Sequence, residues 1–220
     1  MKRVLLALSC LAMLVGCENK PQVGEADTSE TKQFGSEGMN VSGMARPTNN
    51  ERVIATTTVK LIGRHKGAEP KPRHITFMMP PDCQVYMPGG KFEAMESFRI
   101  GFVMEMLDVE LEASGLDKEQ AGKLAEHLRG PDFFNTKQHR TAMFETSSVK
   151  LNPDGTGTVV GKLKMLGQEQ ELTIPVTHNA EKKVLEAKFD LDRTQFGMTY
   201  GVDSIEEKVE VQISLDVSNG

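Results

Sequence analysis

Side chains able to do covalent or metal chemistry are few and scattered. The five histidines, His65, His74, His127, His139 and His178, form no H-x-H or H-x-x-x-H pair, so a metal would need ligands from distant strands. No G-x-S-x-G nucleophile turn occurs. Of the three cysteines, Cys10 and Cys17 lie near the start and Cys83 stands alone, which rules out a disulfide framework. A lone thiol of this kind is more often buried than reactive, and its other use is a bridge between two copies. The expectation is no catalytic residue, no metal and no cofactor. Lys and Arg number 26 against 31 Asp and Glu, a net charge of −5, which excludes the basic face that nucleic acid requires.

Cys17 does carry a signal. Lys2 and Arg3 precede a twelve-residue apolar run, residues 4–15, too short to span a bilayer comfortably and right for a secretory leader. Leu14-Val15-Gly16-Cys17 then resembles the bacterial lipobox, which implies that residues 1–16 are removed and Cys17 is acylated. Loss of Lys2 and Arg3 takes the charge from −5 to −7, so the acyl chains, not a polybasic patch, would hold the protein to a membrane. Glu18, where an aspartate would signal retention at the inner membrane in some bacteria, favours the outer membrane. Residues 17–52 read as the lipidated cysteine and a disordered linker rich in Glu, Ser, Thr, Asn and Gly, without apolar period. The folded domain is expected over residues 53–220.

In that domain the dominant period is two. Val209, Val211, Ile213, Leu215 and Val217 alternate with Lys208, Glu210, Gln212, Ser214 and Asp216, and similar runs cover residues 159–165, 171–176 and 185–191. Pro175 falls on the wet face of its run, where a missing N–H is tolerated at an edge or bulge. Phe98, Ile100, Phe102, Met104 and Met106 share one parity, Ala142 and Phe144 open another run, and residues 53–62 and 73–79 alternate less regularly. Turns are expected at Asn152-Pro153-Asp154-Gly155 and Gly167-Gln168. One helix interrupts the strands at about residues 117–130, with Ala121, Leu124, Ala125 and Leu128 on one face, Asp117 as cap and Gly130-Pro131 as stop. His127 then interacts with the helix dipole or a nearby carbonyl. About eight amphipathic strands can close as a barrel or split into two stacked sheets.

His127-Leu128-Arg129-Gly130-Pro131-Asp132-Phe133-Phe134, followed by Thr141-Ala142-Met143-Phe144, resembles the signature of the YceI-like family. The hairpin from Gly161 to Val176, the stretch Phe189-Asp190-Leu191-Asp192-Arg193-Thr194-Gln195-Phe196-Gly197 and the closing run fit in the same order, so the resemblance covers about residues 53–217. Residues 78–90, with three prolines and Cys83, depart from the pattern. The resemblance implies an all-β, eight-stranded antiparallel lipocalin-like barrel, exported, holding a polyisoprenoid, a quinone-like molecule or another long-chain amphiphile, and in some members dimeric.

The inward parity then names the residues to line such an interior: Phe98, Ile100, Phe102, Met104, Phe144, Leu163, Met165, Ile174, Phe189, Leu191, Val211 and Ile213. Methionine among them suits an irregular guest. Phe133 and Phe134 are expected as a mouth or plug, and Asp132 and the Asp192–Arg193 pair in ion pairs or turn caps. The expected function is storage or transport of an apolar ligand by a lipid-anchored envelope protein. The alternative is a packed barrel that serves as an interaction or stress-response module.

Overall fold

The computed structural model describes residues 52–67, 71–78 and 81–218. The expected leader, the acylated Cys17 and all of the linker but Arg52 lie outside the described residues. Eleven strands form one antiparallel sheet: β1 (Arg52–Ile54), β2 (Thr56–Arg64), β3 (Pro72–Phe77), β4 (Asp82–Tyr86), β5 (Ser97–Val103), β6 (Leu107–Val109), β7 (Thr141–Leu151), β8 (Thr156–Met165), β9 (Gln168–Asn179), β10 (Val184–Asp192) and β11 (Lys208–Asp216). Their spatial order is β1-β4-β5-β7-β8-β9-β10-β11-β2-β3-β6.

Eleven segments replace the eight expected strands: the run over residues 53–62 is split in two, and β4 and β6 fall in stretches not read as strands. Ala55 separates β1 from β2, and the 3-10 turn Met104–Met106 separates β5 from β6. Between β3 and β4 the sequence carries Pro80-Pro81, which has no N–H to offer a ladder. Pairing continues across each break: β1 pairs with β4 while β2 pairs with β3, and β4 pairs with β5 while β3 pairs with β6. Both terminal strands of the sheet order are therefore continuous in chain with strands inside it, and the sheet curls back on itself.

Local chemistry sets the connections. The β8–β9 turn is Leu166-Gly167, with φ of 54° and 76°, the double positive φ of a type I′ hairpin. Helix α1 (Leu111–Ser114) is a single turn, and α2 (Lys118–Arg129) is the expected helix. Asp117 and Gln120 form a reciprocal capping box: Gln120 N–H donates to Asp117 Oδ1 at 2.8 Å, and Asp117 N–H to Gln120 Oε1 at 3.2 Å. Where β7 bulges between Thr146 and Ser148, Gly161 lies opposite. A Cβ on Gly161 would fall 2.6 Å from the Glu145 carbonyl oxygen, so only glycine lets these strands approach.

The register gives the sheet two different ends. One end gathers the β2–β3 turn, α1, α2, the β8–β9 hairpin and residues 193–207. The other gathers the β7–β8 and β9–β10 turns and the β4–β5 connection, whose Met87, Phe92 and Met95 are buried and close it. The departure at residues 78–90 is thereby explained: it supplies β4, with Cys83 and Val85 facing the core, and part of this plug.

The wall has one seam. β9 and β10 pair only from Val176–Ala187 to Asn179–Val184, which leaves residues 171–175 and 188–192 unpaired with each other. His178 N–H donates to Gly155 O at the start of β8. Alternation along the strand then aims the backbone of residues 171, 173 and 175 at β10. Residue 175 is the proline, so the missing donor is on the side where pairing stops.

Candidate ligand-binding site

Inside the sheet lies a cavity whose wall is almost wholly apolar. The cavity has a volume of about 160 Å³, within about 1260 Å³ of empty space when the open mouth is included. Eleven of the twelve residues read from parity line it: Ile100, Phe102, Met104, Phe144, Leu163, Met165, Ile174, Phe189, Leu191, Val211 and Ile213. Phe98 does not. It lines a separate void of about 20 Å³ towards the plugged end, with Val159, Leu185 and Leu215, because β5 begins below the cavity floor. Phe102, Phe189, Leu191 and Ile213 are only partly buried, as expected of rings and chains that face unfilled space.

Sequence reasoning missed part of the wall. Leu172 and Val209 share the parity of Ile174 and Val211 and were legible in principle. Val59, Leu61, Ile75 and Phe77 come from β2 and β3, whose alternation is disturbed by polar inward positions. Leu124 and Leu128 extend the wall from α2.

Phe133 and Phe134 stand together at the mouth, both in the cavity wall. Phe134 is buried, its N–H bonded to Leu128 O. Phe133 joins His127 and Tyr200 in a cluster of edge-to-face rings, with centroids 5.1 Å and 5.6 Å from the two partners. His127 lies in the last turn of α2, where it faces the helix dipole as expected, but its side-chain partner is a carboxylate, Asp132 Oδ2 at 2.9 Å from Nε2, in place of a carbonyl.

Asp192 caps the 3-10 turn Arg193–Phe196, accepting from Thr194 N–H at 2.9 Å and from its hydroxyl at 2.6 Å. The Thr194 hydroxyl is the main cause of a carboxyl held below its ordinary range. Arg193 is 2% exposed and donates to the carbonyls of Met198, Ile205 and Glu206, tying the turn to the loop before β11. Burial pulls its guanidinium below the usual value, opposed by Glu207 and Asp192.

Cys83 is 1% exposed, and burial pushes its thiol up to about 11, against a smaller pull from the Thr57 hydroxyl. That placement removes the thiol as a bridge between copies. A Ser-x-x-Lys spacing, Ser147 to Lys150, does occur, but both residues are exposed on the bulged part of β7, and the Ser147 hydroxyl donates to Val160 O at 3.2 Å. Among the described residues no group of three His, Cys, Asp or Glu side chains is placed to hold a metal ion.

The described chain is thus an antiparallel β-sheet wrapped round an apolar cavity, plugged at one end and partly covered by a helix at the other. The chain belongs to the YceI-like domain family, whose model matches residues 87–217, more than half of its length. Residues 53–86, which the resemblance also took in, fall outside that match. A UPF0312 protein of Ectopseudomonas mendocina (strain ymp) is 28% identical over 118 residues, 50% of this chain and 61% of that protein, so the chain spans less than two thirds of that relative. The structure of BcnA from Burkholderia cenocepacia shares the fold with a TM-score of 0.57 at 20% identity, over 72% of this chain and 94% of that one. A domain from Saccharophagus degradans, described as polyisoprenoid-binding and implicated in plant cell wall breakdown, aligns with a TM-score of 0.46 at 9% identity, over 76% of this chain and 96% of that one.

Proposed function

We propose that this chain is an exported, lipid-anchored binding protein that holds a polyisoprenoid, a quinone-like molecule or another long-chain apolar molecule in its cavity, for storage or transport beside a membrane. The observation that carries this reading is the dry wall, closed below by Met87, Phe92 and Met95 and open at the Phe133 end. Each CH₂ moved from water to such a wall contributes about 0.8 kcal/mol, so a tail of several isoprene units gains more than about 10 kcal/mol before the cost of association. Counted by the course of the chain, β1–β2, β3–β4 and β5–β6 each act as one bent strand, which supports reading the eleven-stranded sheet as a variant of the eight-stranded, lipocalin-like barrel. The anchor is Cys17, on the periplasmic face of the outer membrane. The chain acts by binding and not by catalysis.

The test is mass spectrometry of an organic extract from protein isolated from the envelope. A long-chain apolar molecule should appear in proportion to protein, and it should be lost from Leu163→Gln protein that remains folded. Repeated recovery of empty, folded wild-type protein overturns the reading. One observation favours the alternative, a packed module that engages other envelope proteins. The 160 Å³ is close to the roughly 150 Å³ of a cavity known to take a guest the size of benzene or xenon. A long tail therefore requires the wall to give, and Met104, Met165 and Met198 in that wall are the side chains best able to repack.

A further inference from the structure

Among the described residues the cavity wall carries four polar side chains, Arg64, His65, Arg73 and Arg193, and no carboxylate. Two of the four are engaged elsewhere. Arg64 reaches Glu210 at 3.0 Å on the outer face, and Arg193 is held by three backbone carbonyls.

Arg73 is placed differently. It pairs with Gly63 across β2 and β3, two residues before Ile75, whose partner Leu61 lines the cavity with it. Strand alternation therefore turns Arg73 inward at the mouth. Its Nη1 donates to the carbonyls of Pro72 and Ser114 at 3.0 and 2.9 Å, which fixes one edge of the guanidinium. Nε and Nη2 have no acceptor among the described residues, and no acidic side chain pairs with the charge. The inward position opposite is empty: a Cβ on Gly63 would meet nothing within 4 Å. His65, just past the end of β2 and bridged to Ile205, lines the same mouth. A fixed guanidinium with two open donors, an empty neighbouring position and an apolar shaft below it make a site for an acidic head on an apolar tail.

We propose that Arg73, with His65 beside it, binds the oxyanion head, carboxylate or phosphate, of an amphiphile whose chain occupies the cavity. The inference deepens the carrier reading and rests on it. Two parallel N–H groups match two oxygens of such a head, and the charge-assisted bonds are stronger than those to a neutral alcohol or carbonyl.

Calorimetric titration of the full chain with hexadecanoic acid, hexadecanol and inorganic phosphate tests it. Hexadecanoate should bind at least about tenfold more tightly than hexadecanol, a difference of about 1.4 kcal/mol. Arg73→Gln should bring hexadecanoate to the level of hexadecanol and leave hexadecanol unchanged. Should that variant fail to fold, Gly63→Asp sets a competing carboxylate beside the guanidinium and should weaken hexadecanoate alone. Equal binding of acid and alcohol, with neither variant selective, overturns the head-group site and leaves the carrier reading standing. Loss of both ligands to the same extent in Arg73→Gln makes the residue structural and also overturns it. Phosphate binding as tightly as hexadecanoate would mean a site for free anions, not for an amphiphile. Binding of neither long-chain probe to the wild type defeats the carrier reading itself.

Discussion

Glu210, on the outer face of β11, concentrates three donors on one carboxylate. Lys188 Nζ at 3.0 Å and Gln212 Nε2 at 2.7 Å meet Oε1, and Arg64 Nη2 at 3.0 Å meets Oε2. Lys188 first, then Gln212 and Arg64, hold its carboxyl down from 4.5 to about 2. A folded-state value below the unfolded one contributes stability that is present above the unfolded pKa and lost as pH falls through the folded one. For Glu210 that window runs from about pH 4.5 down to about 2. Glu210→Gln should therefore lower the thermal midpoint at pH 7 and flatten its decline between pH 5 and 2, and an unchanged slope would show that the three contacts do not act on stability. This cluster was not visible in the sequence, because it joins β2, β10 and β11 across the outer face. The inward residues were visible, since alternation alone sorts Leu163 from Lys164 and Val211 from Gln212. Arg73 was not, because a charge at an inward position reads as a break in the pattern, which is one reason β3 looked irregular.

Elements whose causes are local were read with nearly correct bounds. Helix α2 starts at its capping box and stops at Gly130 as the sequence requires, and Leu166-Gly167 forms the hairpin turn one residue earlier than expected. Of the breaks that make eleven strands of eight, Pro80-Pro81 is marked in the sequence, whereas nothing local marks Ala55 or the Met104–Met106 turn. The seam between β9 and β10 lies between these cases. Pro175 marks it in the sequence, yet only the register shows that the lost N–H faces β10. The seam also supplies what a cavity of this size needs in order to admit a long chain, a part of the wall that widens without breaking a ladder. Hydrogen exchange tests this directly. The amides of Leu172 and Ile174, which face β8, should be strongly protected, whereas those of Glu171 and Thr173, which face β10, should exchange much faster. Uniform protection along residues 171–174 would show that the wall is closed there in solution.

At the scale of the whole molecule, the plugged end and the start of the described chain coincide. Arg52 pairs with Tyr86 beside the β4–β5 plug, so the proposed tether joins the domain at the end opposite the mouth. β9 alone has 12 residues, about 40 Å of strand. If the 35 residues before Val53 form the flexible coil expected from their composition, its typical reach is roughly 30–35 Å. On the proposed attachment at Cys17, the length of that stretch sets how far from the bilayer the domain can work. Cys17→Ser should move the protein from the membrane pellet to the soluble envelope fraction and leave its affinity for hexadecanol unchanged. Continued sedimentation of that variant with membranes refutes lipid attachment. Deleting residues 20–39 shortens the coil to a reach of roughly 20 Å. Anchored protein carrying this deletion should take up hexadecanol from its own vesicles more slowly, with the same equilibrium affinity in detergent-free solution once the anchor is also removed. Unchanged uptake would mean that the ligand does not enter through the Phe133 mouth at the bilayer surface, and the seam between β9 and β10 becomes the route to examine.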